Sequence, residues 1–261
     1  MTQRKIKPRV VLSIAGYDPS SGAGVTADIK TIAAHGCYGV TCITALTVQS
    51  TSGVARVEPV DGELISETLK RLGDDLHLAA VKIGMLGSAD AANAVAAFLQ
   101  RRAIPHVVLD PVIKSSSGAG LITHEGLQIL KDRLLALATV ITPNIDEAAE
   151  LTGLTVGNLA EMEAAAVRLQ QLGARNVIIT GGHLSPPHDL LSREGKRPTL
   201  LAGKRISTRS THGTGCAFST ALACELAQGR NLLSAARAAK RFVESALRSA
   251  PAIGKGIGPI V

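Results

Sequence analysis

VVLSIAGYDPSSGAGVTADIKTIAA, residues 10–34, contains in one segment the two kinds of element from which the chain is built. The apolar run Val10–Ala15 predicts a buried strand, Gly16–Gly24 predicts a tight loop, and Val25–Ala34 has apolar residues at helical spacing. A glycine-rich loop between a strand and a helix allows a ligand to approach the backbone closely. We therefore expect an α/β fold with a binding site beside this loop.

Strands and helices continue to alternate along the 261 residues. Runs of Val, Ile and Leu predict further strands at Gly39–Leu46, Leu78–Ile83, His106–Leu109, Val140–Thr142 and Asn176–Thr180. Helical spacing predicts helices at Gly62–Leu72, Ala89–Arg102, Leu159–Leu172, Gly215–Ala227 and Leu232–Ala250. His188–Leu191 and Thr199–Leu201 flank a REGK turn and predict a hairpin. We expect a mostly parallel sheet covered by helices on both faces, with residues 1–261 forming one domain.

Composition argues against several classes of protein. The net charge is +7, but the basic residues are scattered and only 2% of the chain is aromatic, so we expect no nucleic-acid partner. The chain has no run of eighteen apolar residues and no cleavage-like site, which predicts a cytoplasmic protein that does not enter membranes. The cysteines at positions 37, 42, 216 and 224 lack the spacing of a zinc site, so we expect reduced thiols.

The first glycine-rich loop allows more than one interpretation. Gly22, Gly24 and Ala27 fit the spacing of a dinucleotide-binding fingerprint. That fingerprint needs an acidic residue about twenty positions further on, and residues 42–49 contain none. A dehydrogenase is therefore disfavoured, while a turn that only connects strand and helix remains an alternative.

The strongest local motif is THGTGC, residues 211–216, directly before the predicted helix Ala217–Ala227. Gly213 and Gly215 flank Thr214, so successive backbone N–H groups can converge on an anion at the start of the helix. Such an arrangement suits phosphoryl transfer, which requires mainly positioning and charge neutralisation. Cys216 lies in the first helical turn, where the positive helix end is expected to lower the thiol pKa and make it a base. A plain buried cysteine is the alternative.

Acidic and amide side chains follow two predicted strands. Asp110 ends one strand, and Asn144 and Glu147 stand where the next gives way to a helix, an arrangement that suits Mg²⁺ and phosphates. Asn144 and Glu147 equally fit a capping box. The loop Lys114–Gly120 is expected to cover a nucleotide, or else to be an ordinary turn. His183, after two glycines, is more typical of a loop residue than of a catalyst.

Taken together and in order, these segments resemble the hydroxymethylpyrimidine/phosphomethylpyrimidine kinase family, a ribokinase-like branch related to pyridoxal kinases. The resemblance covers nearly the whole chain and runs through IAGYDPSSGAGVTADIKT, GVTCITALTVQST, KIGMLGS, LDPV, ITPNIDEAAEL, TGGHL, THGTGC and GKGIGP. It implies a three-layer αβα sandwich. It also implies ATP-dependent phosphorylation of 4-amino-5-hydroxymethyl-2-methylpyrimidine and of its monophosphate in thiamine diphosphate biosynthesis.

The resemblance also implies roles for individual residues. A pyrimidine pocket would use Gly16, Ala23, Thr47, Gln49 and Met85, with Gln49, in the loop after a strand, offering a donor and an acceptor to an aminopyrimidine edge. Phosphoryl transfer would fall on Gly213, Thr214, Gly215 and Cys216. Mg²⁺ would be held by Asp110 and Glu147, and ATP by Asn144, Glu147, Thr180, Gly182 and Lys240. A homodimer is expected by analogy.

Three positions depart from the family pattern. Ser21 replaces a frequent glycine in the substrate loop, Ile113 replaces a common methionine of similar volume, and Thr180 replaces a lysine before Gly-Gly-His. A phosphate contact would then be missing, or be supplied by Lys240 or Lys114. The close alternative is a pyridoxal kinase that uses a cysteine, and a more distant one is a non-catalytic sensor of pyrimidines or nucleotides.

Overall fold

A computed structural model describes residues 8–115, 118–182 and 184–261 of the chain. Within this part, the strands form one nine-stranded sheet in the order β3-β2-β1-β4-β5-β6-β7-β8-β9. The strands are β1 (Val10–Tyr17), β2 (Tyr38–Ser50), β3 (Gly53–Pro59), β4 (Leu78–Ile83), β5 (Val107–Leu109), β6 (Val140–Ile141), β7 (Asn176–Ile179), β8 (Asp189–Arg193) and β9 (Thr199–Leu201). Parallel pairs run from β2 to β7, and β3, β8 and β9 pair antiparallel at the edges.

Helices cover both faces of this sheet. They are α1 (Gly24–Ala34), α2 (Gly62–Asp75), α3 (Ala89–Gln100), α4 (His124–Ile129), a π-helical turn (Leu130–Leu134), α5 (Leu135–Leu137), α6 (Ile145–Thr152), α7 (Leu159–Gln171), α8 (Thr214–Ala227) and α9 (Leu232–Ser249). None of the helices in these ranges is long and apolar enough to cross a membrane.

The alternation of side chains along each strand produces two cores. Leu12, Ile83 and Leu109 pack with α2, α3, α6 and α7 on one face. Their neighbours Val11 and Val108 pack with α1, α8 and α9 on the other face. Because successive strand residues point to opposite faces, strands buried on both sides must be apolar throughout, which explains their unbroken hydrophobic runs. The three-layer αβα architecture is confirmed.

Most predicted elements are present with small changes at their ends. Two were not predicted: β3, and the helical segment that begins at His124. β3 is mostly exposed and lies at the sheet edge, so its sequence carries little apolar pattern. β2 continues to Ser50, so the expectation that Gln49 follows the strand in a loop is wrong. Pairing with β3 extends β2 beyond its apolar run.

The strand order creates a crevice beside β1. From β1 the chain first adds β2 on one side and later adds β4 on the other. In parallel sheets such a reversal separates the loops at the carboxyl ends of the two neighbouring strands and leaves room for a ligand. Gly16 in β1, and Met85 just after β4, both reach this crevice.

A fully buried lysine joins the sheet to α1 and α8. The Nζ of Lys82 in β4 lies 2.9 and 3.1 Å from the two carboxylate oxygens of Asp28 in α1. Asp28 also accepts hydrogen bonds from Ser13 (2.5 Å) and Thr220 (2.7 Å). Burial alone would lower the pKa of Lys82, but the carboxylates of Asp28 and Asp110 raise it. The buried charges are thus paired and hydrogen-bonded.

Lys82→Ala should destabilise the protein by about 3–5 kcal/mol, because it leaves the Asp28 side chain buried without its cation. The matched control is Lys70→Ala, which breaks a surface pair with Asp74 whose lysine side chain is 76% exposed, and which we expect to have no measurable effect. Urea unfolding followed by circular dichroism measures both. Equal midpoints for Lys82→Ala and wild type would contradict the assigned role of the pair.

Candidate active site

All the site residues predicted from the sequence surround one cavity of about 760 Å³ at the carboxyl edge of the parallel strands. Its lining includes Gly16, Ala23, Thr47, Gln49, Met85, Asp110, Asn144, Glu147, Thr180, Gly182, Gly213, Thr214, Gly215, Cys216 and Lys240. These residues come from both halves of the chain. The structure therefore brings them together, and their individual roles remain proposals.

The start of α8 presents free backbone donors to the cavity. Side chains cap α2, α3, α6, α7 and α9, but none among the described residues caps α8. Gly213, at its N-cap, has a φ of 82°, and a Cβ there would lie 1.8 Å from the carbonyl oxygen of Gly22. Only glycine fits this position. A Cβ on Gly215 would meet open space, so that side of the turn is free for a ligand.

Cys216 lies in the first turn of α8, at the cavity wall, and it keeps some solvent exposure. Burial of the thiol raises its pKa to about 12; the carboxylates Asp110 and Asp28 add to the rise, and Lys82 opposes it. The expectation of a lowered thiol pKa is therefore wrong. Desolvation and nearby negative charge outweigh the effect of the helix end, so the Cys216 thiol is protonated at neutral pH.

Two buried carboxyl groups form the acidic wall of the cavity. Burial raises the pKa of Asp110, against the opposing effect of Lys82 4.0 Å away, and Asp110 accepts a hydrogen bond from Ser219 (2.9 Å). Burial, and then the charge of Asp110, raise the pKa of Glu147 to about 8. When two neighbouring carboxyl groups cannot easily be ionised at the same time, a cation bound between them stabilises their ionised forms, so the pair is suited to bind one.

Asn144 and Glu147 form the capping box that is one interpretation of their spacing. Glu147 accepts a hydrogen bond from the Asn144 backbone N–H, and Asn144 accepts one from the Glu147 backbone N–H, each at 2.9 Å. This is a capping box at the start of α6, and the same two side chains also line the cavity. The cap holds the Glu147 carboxylate at the cavity wall.

Among the described residues, no group of three or more His, Cys, Asp or Glu side chains could hold a metal by itself. Mg²⁺ commonly uses one or two carboxylates and completes its shell with substrate phosphates and water. Asp110 and Glu147 match that requirement, because both are buried at the wall of one cavity and the charge of one is felt by the other.

The lysines expected to compensate for Thr180 already have partners. Lys240 Nζ lies 2.6 Å from Asp189, and Lys114 Nζ lies 3.3 Å from Glu150. Thr180 itself forms an isolated bridge with Asn144 at the cavity floor. His183, and residues 116–117 of the loop expected to cover a nucleotide, lie outside the described residues.

The opposite end of the cavity is less charged. Thr47 and Gln49 lie on the cavity side of β2, while the alternate residues Leu46 and Val48 are exposed. A Cβ on Gly16 would lie 2.8 Å from the sulfur of Met85, so these two residues set the width of the pocket. This end accommodates a flat, mostly apolar ring with polar groups on its edge.

Sequence reasoning missed several residues that organise the site. Asp18 accepts hydrogen bonds from the backbone N–H groups of Ser20, Gly22 and Ala23, and His212 Nε2 bonds to the same carboxylate oxygen as Gly22 and Ala23. Burial opposes ionisation of Asp18, but the bonds from His212 and Ser20 prevail and lower its pKa. Two features of the sequence could have indicated these residues. One is the Asp-Pro pair at the start of a glycine-rich loop, and the other is Lys82 inside an otherwise apolar strand.

The substrate loop also explains one departure from the family pattern. Ser21 has a φ of 58°, in the left-handed region that glycine enters at little cost. Ile113 is almost fully buried, and a methionine of similar volume would fill the same space.

Comparison with known proteins agrees with this geometry. The model of the family described as phosphomethylpyrimidine kinase matches residues 18–261. A hydroxymethylpyrimidine/phosphomethylpyrimidine kinase of Haemophilus influenzae is 43% identical over 255 residues, which cover 95% of this chain and 94% of that protein. The thiamine biosynthesis bifunctional protein ThiED of Geobacter sulfurreducens is 42% identical over 96% of this chain. The chain spans only 51% of that protein's length.

Solved structures show the same fold. A phosphomethylpyrimidine kinase from Clostridium difficile has a TM-score of 0.81 and 34% identity, covering 92% of this chain and 99% of its own. A Staphylococcus aureus pyridoxal kinase, solved with AMP-PCP and pyridoxal, has a TM-score of 0.86 and 30% identity, covering 97% of this chain and 92% of its own. With the family model matched over most of its length and relatives similar almost from end to end, the chain belongs to the phosphomethylpyrimidine kinase family, a ribokinase-like group of phosphotransferases.

Proposed function

We propose that this protein transfers the γ-phosphoryl group of ATP to the hydroxymethyl group of 4-amino-5-hydroxymethyl-2-methylpyrimidine, and then phosphorylates the monophosphate. The observation that carries the proposal is the uncapped start of α8, which lies in one cavity with the Gln49 pocket and the acidic wall of Asp110 and Glu147. Family membership and the AMP-PCP and pyridoxal complex of a similar kinase support it.

The start of α8 is proposed to hold the phosphoryl group during transfer. The backbone N–H groups of Gly213, Gly215 and Cys216 lie at the uncapped helix end, where the helix dipole favours negative charge, while that of Thr214 donates to Thr211 (3.4 Å). They are fixed before the substrate binds, because Gly213 packs against Gly22 and the helix behind them is buried from Ala217 to Ala227. Preorganised donors need no rearrangement during the reaction, which is the main source of catalysis in phosphoryl transfer.

Asp110 and Glu147 are proposed to hold Mg²⁺, and Asn144, Thr180, Gly182 and Lys240 to lie along the nucleotide. When bound, the cation would neutralise charge on the phosphates. The two carboxyl groups would then keep the phosphates at the α8 end of the cavity. Lys240, paired with Asp189, is suited to hold the nearby Gly181 turn, whose N–H also bonds to Asp189 (3.1 Å).

Cys216 is proposed to receive the proton of the acceptor hydroxyl. Its thiol is protonated at neutral pH, so it must first lose its own proton to solvent before the resulting thiolate can accept the hydroxyl proton. The positive charge of Lys82 favours the thiolate form of Cys216. Little negative charge is needed on the attacking oxygen in a loose transition state, so proton transfer can occur late.

A second candidate function is phosphorylation of pyridoxal, favoured by the similarity to a pyridoxal kinase solved with that compound. We further propose a homodimer, by analogy with the family, and a cytoplasmic location, as expected from the composition of the sequence.

Purified protein incubated with ATP and Mg²⁺ should convert the pyrimidine alcohol first to its monophosphate and then to its diphosphate, as measured by mass spectrometry. Pyridoxal tested on the same preparation separates the two candidates, because a pyridoxal kinase would favour pyridoxal in kcat/KM. ATP consumption without phosphorylation of either acceptor would refute both.

Cys216→Ala should lower kcat by about 100-fold or more while leaving the KM of the pyrimidine nearly unchanged, because it removes a proton acceptor and not a binding group. Steady-state kinetics measure both constants. Cys224→Ala, on the same helix but buried in the core, is the control and should keep its kcat. Full turnover by Cys216→Ala would eliminate the thiol as the base.

Alkylation of Cys216 by iodoacetamide should be slow at pH 7 and rise about tenfold per pH unit, because only the thiolate reacts and the thiol pKa lies near 12. Cys37 is the internal comparison: a hydrogen bond from Cys224 lowers its pKa to about 6, so its labelling should change little above pH 7. Peptide mass spectrometry of the ligand-free protein separates the two sites. Rapid, pH-independent labelling of Cys216 would contradict the raised pKa.

A further inference from the structure

A chain of hydrogen bonds connects the substrate loop to the acceptor pocket. His212 Nε2 lies 2.8 Å from the Asp18 carboxylate and 3.2 Å from the Gln49 side-chain nitrogen. The Gln49 side-chain oxygen lies 3.1 Å from the Thr47 hydroxyl, which lies 3.0 Å from the carbonyl oxygen of Tyr17. The His212 ring is held in place, since a Cβ on Gly22 would lie 2.2 Å from it.

The positions of the hydrogen atoms in this series of hydrogen bonds can be assigned by elimination. Asp18 accepts from the N–H groups of Ser20, Gly22 and Ala23, so it acts as an ionised acceptor. His212 Nε2 must therefore carry a hydrogen and donate it. If the Gln49 amide nitrogen faced His212, this nitrogen and His212 Nε2–H would be two donors facing each other. The single hydroxyl hydrogen of Thr47 would also have to serve two oxygens, one of Gln49 and one of Tyr17. The reverse amide orientation removes both conflicts.

In the reverse orientation every group has a partner. His212 Nε2–H is shared between the Asp18 carboxylate and the Gln49 carbonyl oxygen. The Gln49 amide N–H donates to the Thr47 hydroxyl, which in turn donates to Tyr17. Gln49 then offers its remaining acceptor position on the His212 side and its remaining N–H on the Thr47 side. An acceptor ring must match that order of donor and acceptor.

We infer that His212, held by Asp18, is a positioning residue that determines substrate specificity by fixing the direction of the Gln49 amide. The inference rests on the proposed pyrimidine kinase function. A ring with an amino group beside a ring nitrogen presents a donor and an acceptor in the order that a fixed amide can match. His212 also directly precedes Gly213, so the residue that orients the acceptor is joined to the loop that holds the phosphoryl group.

The test compares two rings on each variant: the 4-amino substrate, and its 4-oxo analogue, which reverses donor and acceptor. For wild type we expect kcat/KM to favour the amino ring by about 100-fold or more. His212→Leu should reduce this ratio at least about tenfold, because the amide loses its fixed direction, while the KM of ATP stays unchanged. His212→Gln retains a side-chain N–H and should keep most of the ratio. The fraction of folded enzyme cancels from the ratio.

If His212→Leu is insoluble, Asp18→Ala serves instead, because it removes the acceptor that holds His212 Nε2–H in place and leaves the direction of the Gln49 amide unfixed. It should lower the ratio as well. A wild-type ratio in either variant would overturn the inference, as would a wild-type enzyme that phosphorylates both rings equally well. A wild-type enzyme that phosphorylates neither ring would instead contradict the proposed function.

Discussion

The ion pair between Lys82 and Asp28 is the contact on which the active-site geometry depends. It lies beneath α8, and its hydrogen bonds join residues of β1, β4, α1 and α8. A buried charge without a partner would be costly, so these elements can pack only in the arrangement that completes the network. The network thereby fixes the position of the start of α8 relative to the carboxyl edge of the sheet. The backbone N–H groups at this helix end are therefore in place without a bound ligand.

Close backbone approach joins the two loops of the site. Gly22 and Gly213 are in contact, and the neighbouring side chains Asp18 and His212 are hydrogen-bonded. The substrate loop and the phosphate loop therefore form one rigid wall. In the proposed function, this wall would position the acceptor and the phosphoryl donor, which is the main demand of phosphoryl transfer.

Charge is distributed unevenly across the cavity. Asp110 and Glu147 form the acidic wall. Burial opposes ionisation of both carboxyl groups, and a bound cation would offset the cost of ionising them. The α8 end offers N–H donors, and the Gln49 end offers neutral hydrogen-bonding groups. In the proposed function, a nucleotide with its cation, a phosphoryl group and an uncharged ring would occupy these three environments in turn.

Local sequence determined most of the strands and helices, because side-chain periodicity and glycine-rich turns act over a few residues, and the family resemblance implied most residues of the cavity. β3 was missed since an exposed edge strand has little apolar pattern. Only the tertiary structure decided the state of Cys216 and the partners of Lys82, Asp18 and His212. Gln49 and His212 are 163 residues apart, and Asp18 and His212 are 194 apart. Burial and charge are created where distant segments meet, so no local pattern can encode a pKa or the direction of an amide.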